Sequence, residues 1–341
     1  MNYILFDDNS RIDLLPFTFT RPVCDLRAGI LTLREKWEKI LEIRTSTFTQ
    51  EYLSKKYPLK IEADNLFING KICPDIFLME EIKKLKNGQK LVDGNTILAM
   101  RVSGDHYIDE IDKTTIFNNT YVPNINFNFK YLKISFIYDL FKLNDELIKN
   151  DFELLAKGRK SAILSSSNTL LGDQIFVEEG VKAECAVFNT KTGPVYLGKN
   201  SEVMEGSVIR GPFSLGEEST LKMSAKIYGA TTIGPHSKVG GEVNNSVIFG
   251  YSNKAHDGFL GNSVVGEWCN IGADSNNSNL KNNYAEVKLW SYRSRSFINT
   301  GLSFCGLFMG DHSKCGINTM FNTGTVVGVS ANIFGDGFPR N

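Results

Sequence analysis

At 341 residues, 42% of them hydrophobic and 22% charged, the chain has globular composition and the length for two separately cored domains. Lys plus Arg and Asp plus Glu balance at 38 each, which excludes a broadly basic surface for nucleic acid or an anionic membrane. An anionic substrate must then be met by a few placed cations.

Taken from the N-terminus, Asp7 and Asp8 stand where a signal peptide needs a longer apolar core. No apolar run approaches the roughly 18 residues of a membrane span. The cysteines (Cys24, Cys73, Cys185, Cys269, Cys305, Cys315) show no metal-like spacing, so buried thiols in a reducing compartment are expected. The expectation is a cytoplasmic protein with no nucleic-acid or membrane partner.

NYILFDD reads as a buried first strand. Asp25 is placed to cap a helix through LRAGILTLREKWEKILEI, with apolar residues at 30, 33, 37, 40 and 41. FINGKIC and KLVDGNTIL carry the hairpin signals Asn69-Gly70 and Asp93-Gly94, and DIFLMEEIKKLK between them reads as a short helix ending near Asn87-Gly88. An amphipathic helix over about 136–157 stops at Gly158. The predicted organisation is an α/β domain over 1–130, a linking helix within 131–160, and a repeat domain over 161–341.

The repeat is the clearest signal. Leu197, Val203, Ile209, Leu215, Leu221, Ile227, Ile233 and Val239 recur every six residues. With about one residue in four Ile, Leu or Val, such a run arises by chance on the order of once in 10⁵ starts. Out of phase, the spacing also joins Ile175, Val181 and Val187; then Phe259, Val265 and Ile271; then Met309, Cys315, Phe321, Val327 and Ile333. Six residues make a short strand and a corner, and three such units close one triangular coil of a left-handed parallel β-helix. Coils then stack at about 4.8 Å through backbone hydrogen bonds. The phase breaks near 188–197 and 240–259, and the stretch 281–308, are expected to leave the coil.

Chemistry concentrates in SNKAHDGFLGNSVVGEWCNIGADSNNSNLK, residues 252–281. A lone histidine is more often structural or merely solvated. His256, however, lies in a polar, glycine-bearing phase break, where a neutral imidazole can take a proton from an amine attacking a thioester. His236 and His312 lie in coil units and are expected at surface corners; their spacing to His256 does not point to a zinc site.

AHDGFLGNSVVGEWCNIGA (255–273) resembles the acetyltransferase signature of the bifunctional UDP-N-acetylglucosamine pyrophosphorylase / glucosamine-1-phosphate N-acetyltransferase family, in a divergent bacterial branch. PFTFTRPVCDLRAGILTLREKWE, GGEVNNS and GDHSKCGINTMFNTGTVVG extend the resemblance over nearly the whole chain. It implies a nucleotidyltransferase-like first domain and acetyl-CoA-dependent N-acetylation of glucosamine-1-phosphate in the β-helix, with uridylyl transfer to form UDP-N-acetylglucosamine as the first domain's activity. It implies His256 as general base, Asn270 and Asn279 on the sugar or acetyl carbonyl, Lys226 and Lys281 as cations for the sugar phosphate, and Glu242 beside the sugar. Backbone around Ala273 and Gly316 would face the pantetheine arm, between the subunits of a homotrimer. The family also implies a segment beyond Asn341.

Three positions depart from the family pattern. Phe259 stands for a Tyr and Asn244 for a Lys, both in the sugar-phosphate site, and Asp274 stands for a Gly beside the cofactor path. In the first domain the family's Gly-x-Gly-Thr-Arg loop is missing, since no glycine precedes Gly29. Asp7, Asp8 and Arg21 remain candidates for Mg²⁺ and nucleotide phosphate; a strand end and a surface pair account for them equally well. Two rival readings stay open. One is a sugar-1-phosphate nucleotidyltransferase whose β-helix only oligomerises it, marked by nucleotide binding without acetyl-CoA turnover. The other is a trimeric scaffold that senses a sugar nucleotide, marked by binding without turnover of any donor.

Overall fold

The computed structural model describes residues 1–103, 123–335 and 337–339, so His106 and Asn341 fall outside the described residues. Two compact units emerge. The first comprises Met1–Arg11, Thr20–Leu26 and Thr32–Ser135; the second comprises Ile12–Phe19, Arg27–Leu31 and Phe136–Asn341.

The first unit is a mixed α/β sheet. In chain order it holds β1 (Asn2–Phe6), α1 (Leu33–Leu41), β2 (Ser46–Phe48), α2 (Glu51–Ser54), β3 (Asp64–Asn69), α3 (Ile76–Lys84), β4 (Gln89–Asp93), β5 (Thr96–Ser103) and β6 (Asn124–Asn126). The sheet order is β2-β1-β3-β5-β4-β6. β1 is parallel to both β2 and β3, so the chain steps from β1 to one side and then across to the other. The expected Asp93-Gly94 hairpin is present as β4–β5. The Asn69-Gly70 hairpin is not: β3 pairs antiparallel with β5 instead. Gly70 is needed for close approach, because a Cβ there would lie 3.2 Å from Cys24 and from the Phe6 carbonyl.

The helix expected from Asp25 starts seven residues later. Thr32 caps α1 through a capping box with Glu35, while Asp25 takes a bidentate pair from Arg34. Residues 29–31 cannot be helical because their amides are committed elsewhere in the second unit. Gly29 donates to Asn144 Oδ1, and Ile30 and Leu31 donate to Asp151 Oδ2. Gly29 also has φ +80°, and a Cβ on it would stand 2.5 Å from Asp151 Oδ2. Asn144 and Asp151 lie on the linking helix, which breaks at Leu143 into α4 (Asp139–Lys142) and α5 (Asn144–Ala156), with Gly158 at φ +70° beyond it.

From Thr169 the second unit is a parallel β-solenoid of about 9 turns, consistent with a left-handed β-helix of hexapeptide repeats. All eight residues of the regular run are at most 1% exposed. At roughly 1.5–3 kcal/mol each, their burial is the main term holding coil to coil. Two of the outlying periodic positions point outward instead. At Val187 and Phe259 the inward residue is the next one, Phe188 and Leu260, which pair in register with Ile209 and Val243.

The excursion expected over 281–308 leaves the coil at an isolated bridge between Leu280 and Phe304. It carries an antiparallel hairpin of Lys288–Ser291 with Ser296–Asn299. His236 and His312 sit at left-handed corner positions, as expected, and bracket a stack of rings: His236 on Tyr251, Tyr251 on Trp268, Trp268 on His312.

Candidate functional site

In the first unit, polar side chains gather at the carboxyl ends of β1, β2 and β3. This is the switch point of the sheet, where open α/β folds bind ligands. The Asp7 side chain is fully buried. One of its oxygens accepts the Val23 amide at 2.9 Å and the other accepts Thr49 Oγ1 at 2.6 Å. Burial pushes its carboxyl up to about 6, against the hydrogen bonds from Thr49 and Val23 and the charge of Arg11. Burial acts on Asp8 in the same sense, but Lys71, with Ser10 and Asn69, outweighs it and holds that carboxyl below its usual value. The Asp8–Lys71 contact is 2.8 Å, and Lys71 also donates to Ser10 Oγ. Arg21 is 5% exposed.

With their oxygens so engaged, Asp7 and Asp8 do not fit a magnesium ion as they stand. Among the described residues, no group of three or more His, Cys, Asp or Glu is arranged to hold a metal. Sequence reasoning missed Lys71, Asn69 and Thr49. The signal was obscured for Lys71 and Asn69, because they flank the glycine that read as a hairpin turn.

In the second unit, hydrogen bonds from coil to coil stack the corner that carries His256. Asp274 N–H donates to the Asp257 carbonyl and Asn318 N–H to the Ala273 carbonyl; a Cβ on Gly272 would strike Gly316. His256, Ala273 and Gly316 therefore lie on one corner in successive coils, about 4.8 Å apart. His256 itself is exposed.

The face that follows this corner begins with Lys226, Glu242 and Phe259 in direct register. Glu242 accepts from Tyr228 OH at 2.6 Å, and that hydrogen bond, with burial, pushes the Tyr228 hydroxyl up to about 12. Gly261, two residues on, leaves room that the Phe259 ring fills. A Cβ there would meet both the Phe259 ring and, at 2.8 Å, Asn279 Nδ2. The Phe259 ring thus reaches along the face toward Asn279.

The remaining predicted residues sit elsewhere on the coil. Asn279 donates to Asn262 Oδ1 at 2.8 Å, and Asn244 donates to the Tyr228 carbonyl, both at the far corner of the face. Lys281 Nζ is bound to the Glu286 carbonyl within the excursion. Asn270 stands on the preceding face, in a column with Lys238, Asn253 and Lys314, and accepts from Asn253 Nδ2. The inward-facing Lys254 was missed altogether.

Residues 3–160 match the family model described as sugar nucleotidyl transferase. The first unit is nucleotidyltransferase-like. A bifunctional sugar-1-phosphate nucleotidylyltransferase/acetyltransferase of Sulfurisphaera tokodaii is 31% identical over 160 residues, 46% of this chain and 37% of that one. An uncharacterized acetyltransferase, YaiX, of Escherichia coli O6:K15:H31 is 25% identical over 187 residues, 54% of this chain and 72% of that one. The chain thus spans little more than a third of the first relative. An Arabidopsis UDP-N-acetylglucosamine acyltransferase structure aligns over 48% of this chain and 60% of its own at 15% identity, with a TM-score of 0.20. Among the described residues, no helix is long and apolar enough to cross a membrane.

The Asp7 carboxyl sets a pH dependence. Its folded value lies above the 3.8 of an ordinary Asp, so the folded state holds the proton more tightly, and stability falls as pH rises from about 4 to 6. At neutral pH the cost is ~3 kcal/mol. Asp7→Asn, which keeps an acceptor for Val23, is expected to raise the first unit's stability at pH 7 and flatten that slope. Urea titrations at pH 4, 5, 6 and 7 check this; an unchanged slope contradicts it.

Proposed function

We propose that this protein acetylates the amine of a sugar phosphate from acetyl-CoA, with glucosamine-1-phosphate as the substrate and His256 as general base. The observation that carries the reading is the stacking of His256, Ala273 and Gly316 on one corner, beside the Lys226–Glu242–Phe259 face. The relatives named acetyltransferases support the reaction class.

In this reading the His256 imidazole removes a proton from the amine as the amine attacks the thioester carbonyl; the C–S bond then breaks, and the proton passes to the departing CoA thiolate. Lys226 holds the phosphate as a point charge rather than a bidentate fork. Glu242, braced by Tyr228, contacts the sugar, and the Phe259 ring, lying over Gly261, packs on it. The corner backbone at Ala273 and Gly316 lines the path of the pantetheine arm, with exposed Ile317 offering it an apolar surface. Asn244, Asn279 and Lys281, at the far corner, contact the far end of the sugar phosphate. Asn270, on the other side of the His256 corner, serves a site formed between copies in a homotrimer. Exposed Val208, in register with Lys226 on the opposite face, offers a neighbouring copy an apolar surface there.

A second reading is favoured by the family match over 3–160: a sugar-1-phosphate nucleotidyltransferase in which the coil only assembles the oligomer. Uridylyl transfer to give UDP-N-acetylglucosamine in the first unit, around Asp7 and Arg21, is compatible with either reading.

Release of free CoA from acetyl-CoA and glucosamine-1-phosphate tests the first reading, and His256→Ala is expected to lower turnover by roughly 10²–10⁴. Wild-type protein that releases no CoA, yet turns over a nucleoside triphosphate with the sugar phosphate, would decide for the second. Lys226→Ala is expected to raise KM for the sugar phosphate well beyond any change in KM for acetyl-CoA; equal changes would remove its assigned role. Light scattering is expected to give the mass of three chains, and a clean monomer would rule out a site between copies.

A further inference from the structure

One inner column of the coil runs Val203, Leu221, Val239 and then Lys254. The first three are aliphatic and at most 1% exposed; Lys254 is 3% exposed. A primary amine among stacked aliphatic side chains is costly unless its donors are satisfied. Nζ of Lys254 donates to two backbone carbonyls, that of Gly240 at 3.0 Å and that of His256 at 2.8 Å. Burial pushes its ammonium down to about 8, while Asp257, Asp274 and Cys315 favour the charged form.

The identity of the two acceptors is the informative part. Gly240 and His256 lie on neighbouring coils at one and the same corner, the one on which His256 stands. That coil is also short. Leu221 to Val239 is one turn of 18 residues, whereas Val239 to Lys254 closes in 15. The shortened turn packs tightly: a Cβ on Gly240 would lie 2.4 Å from the Ala255 carbonyl, and one on Gly241 3.0 Å from the His256 carbonyl. A Val or Ile in the column offers no donor to either oxygen.

We propose that Lys254 is a positioning residue that holds the His256 turn from inside the coil, clamping the Gly240 and His256 carbonyls so that the imidazole is presented at a fixed place on the corner. This rests on the reading of His256 as the general base. The lysine touches no substrate; it acts through the peptide group of the residue that does.

Lys254→Met keeps the length and apolar stem and removes the donors. Its thermal midpoint is expected to equal or exceed that of the wild type, since a buried cation is gone. kcat for CoA release is expected to fall at least about tenfold, with KM for both substrates within about twofold. Amide hydrogen exchange over 255–258 is expected to quicken about tenfold, with coils 195–233 unchanged. Lys254→Gln, which retains a donor, is expected to fall between the two and covers the case in which the Met variant fails to fold. Unchanged exchange at 255–258, unchanged kcat despite a loosened corner, or loss of protection along the whole coil would each overturn the proposal. If the wild type itself releases no CoA, the acetyl-transfer reading fails and the positioning role falls with it. The exchange comparison then still decides whether Lys254 holds the turn.

Discussion

Everything in the second unit depends on register between coils. Each backbone amide of a coil strand binds a carbonyl one turn away, so a residue's place on the surface is set by its position in the turn rather than by its neighbours in sequence. The inner columns enforce this. A slip of one residue would carry the eight buried aliphatic residues from Leu197 to Val239 out into water and bring polar residues in. His256, Ala273 and Gly316, spread over 60 residues of sequence, become neighbours for this reason alone.

The first unit works under the opposite constraint. Its candidate site is a dense knot of charge at the ends of three strands, where Asp7 and Asp8, adjacent in sequence, meet opposite fates. Asp8 faces Lys71 and stays ionised. Asp7, sealed beneath Val23 and Thr49, is held toward its neutral form. Adjacent carboxylates are driven apart by what covers them, as acids and bases in active sites commonly are.

The coil was legible because a period of six belongs to neither helix nor ordinary strand, and its inward column could be named residue by residue. What was not legible had a common cause. The run LRAGILTLREKWE carries a helical pattern from Leu26, but Gly29, Ile30 and Leu31 give their amides to Asn144 and Asp151, more than 110 residues away. Gly70 reads as a turn but serves close packing against Cys24. Lys254 escaped because its turn is three residues short, so the six-residue count that finds every regular column position passes it by. For the candidate site, the phase break over 240–259 read as a stretch that leaves the coil, whereas Glu242–Asn244, Val247–Gly250 and Asn253–Lys254 stay in the solenoid sheets and carry His256 onto a corner of it. The separation of Asn244, Asn279 and Lys281 onto the far corner needed the strand boundaries.

The excursion between Leu280 and Phe304 departs and returns at adjacent points, with the Cys305 amide bound to the Asn279 carbonyl where the coil resumes. Its two feet are fixed by the solenoid, whatever hangs between them. Lengthening such a loop twofold changes its closure entropy by only about 0.6 kcal/mol. What fixes the hairpin is contact rather than closure: Arg293 makes a bidentate pair with Asp13, Tyr292 meets the Phe19 ring edge-on, and Leu289 is buried. A longer or shorter tip would forfeit these anchors while the turns it springs from stayed the same in count.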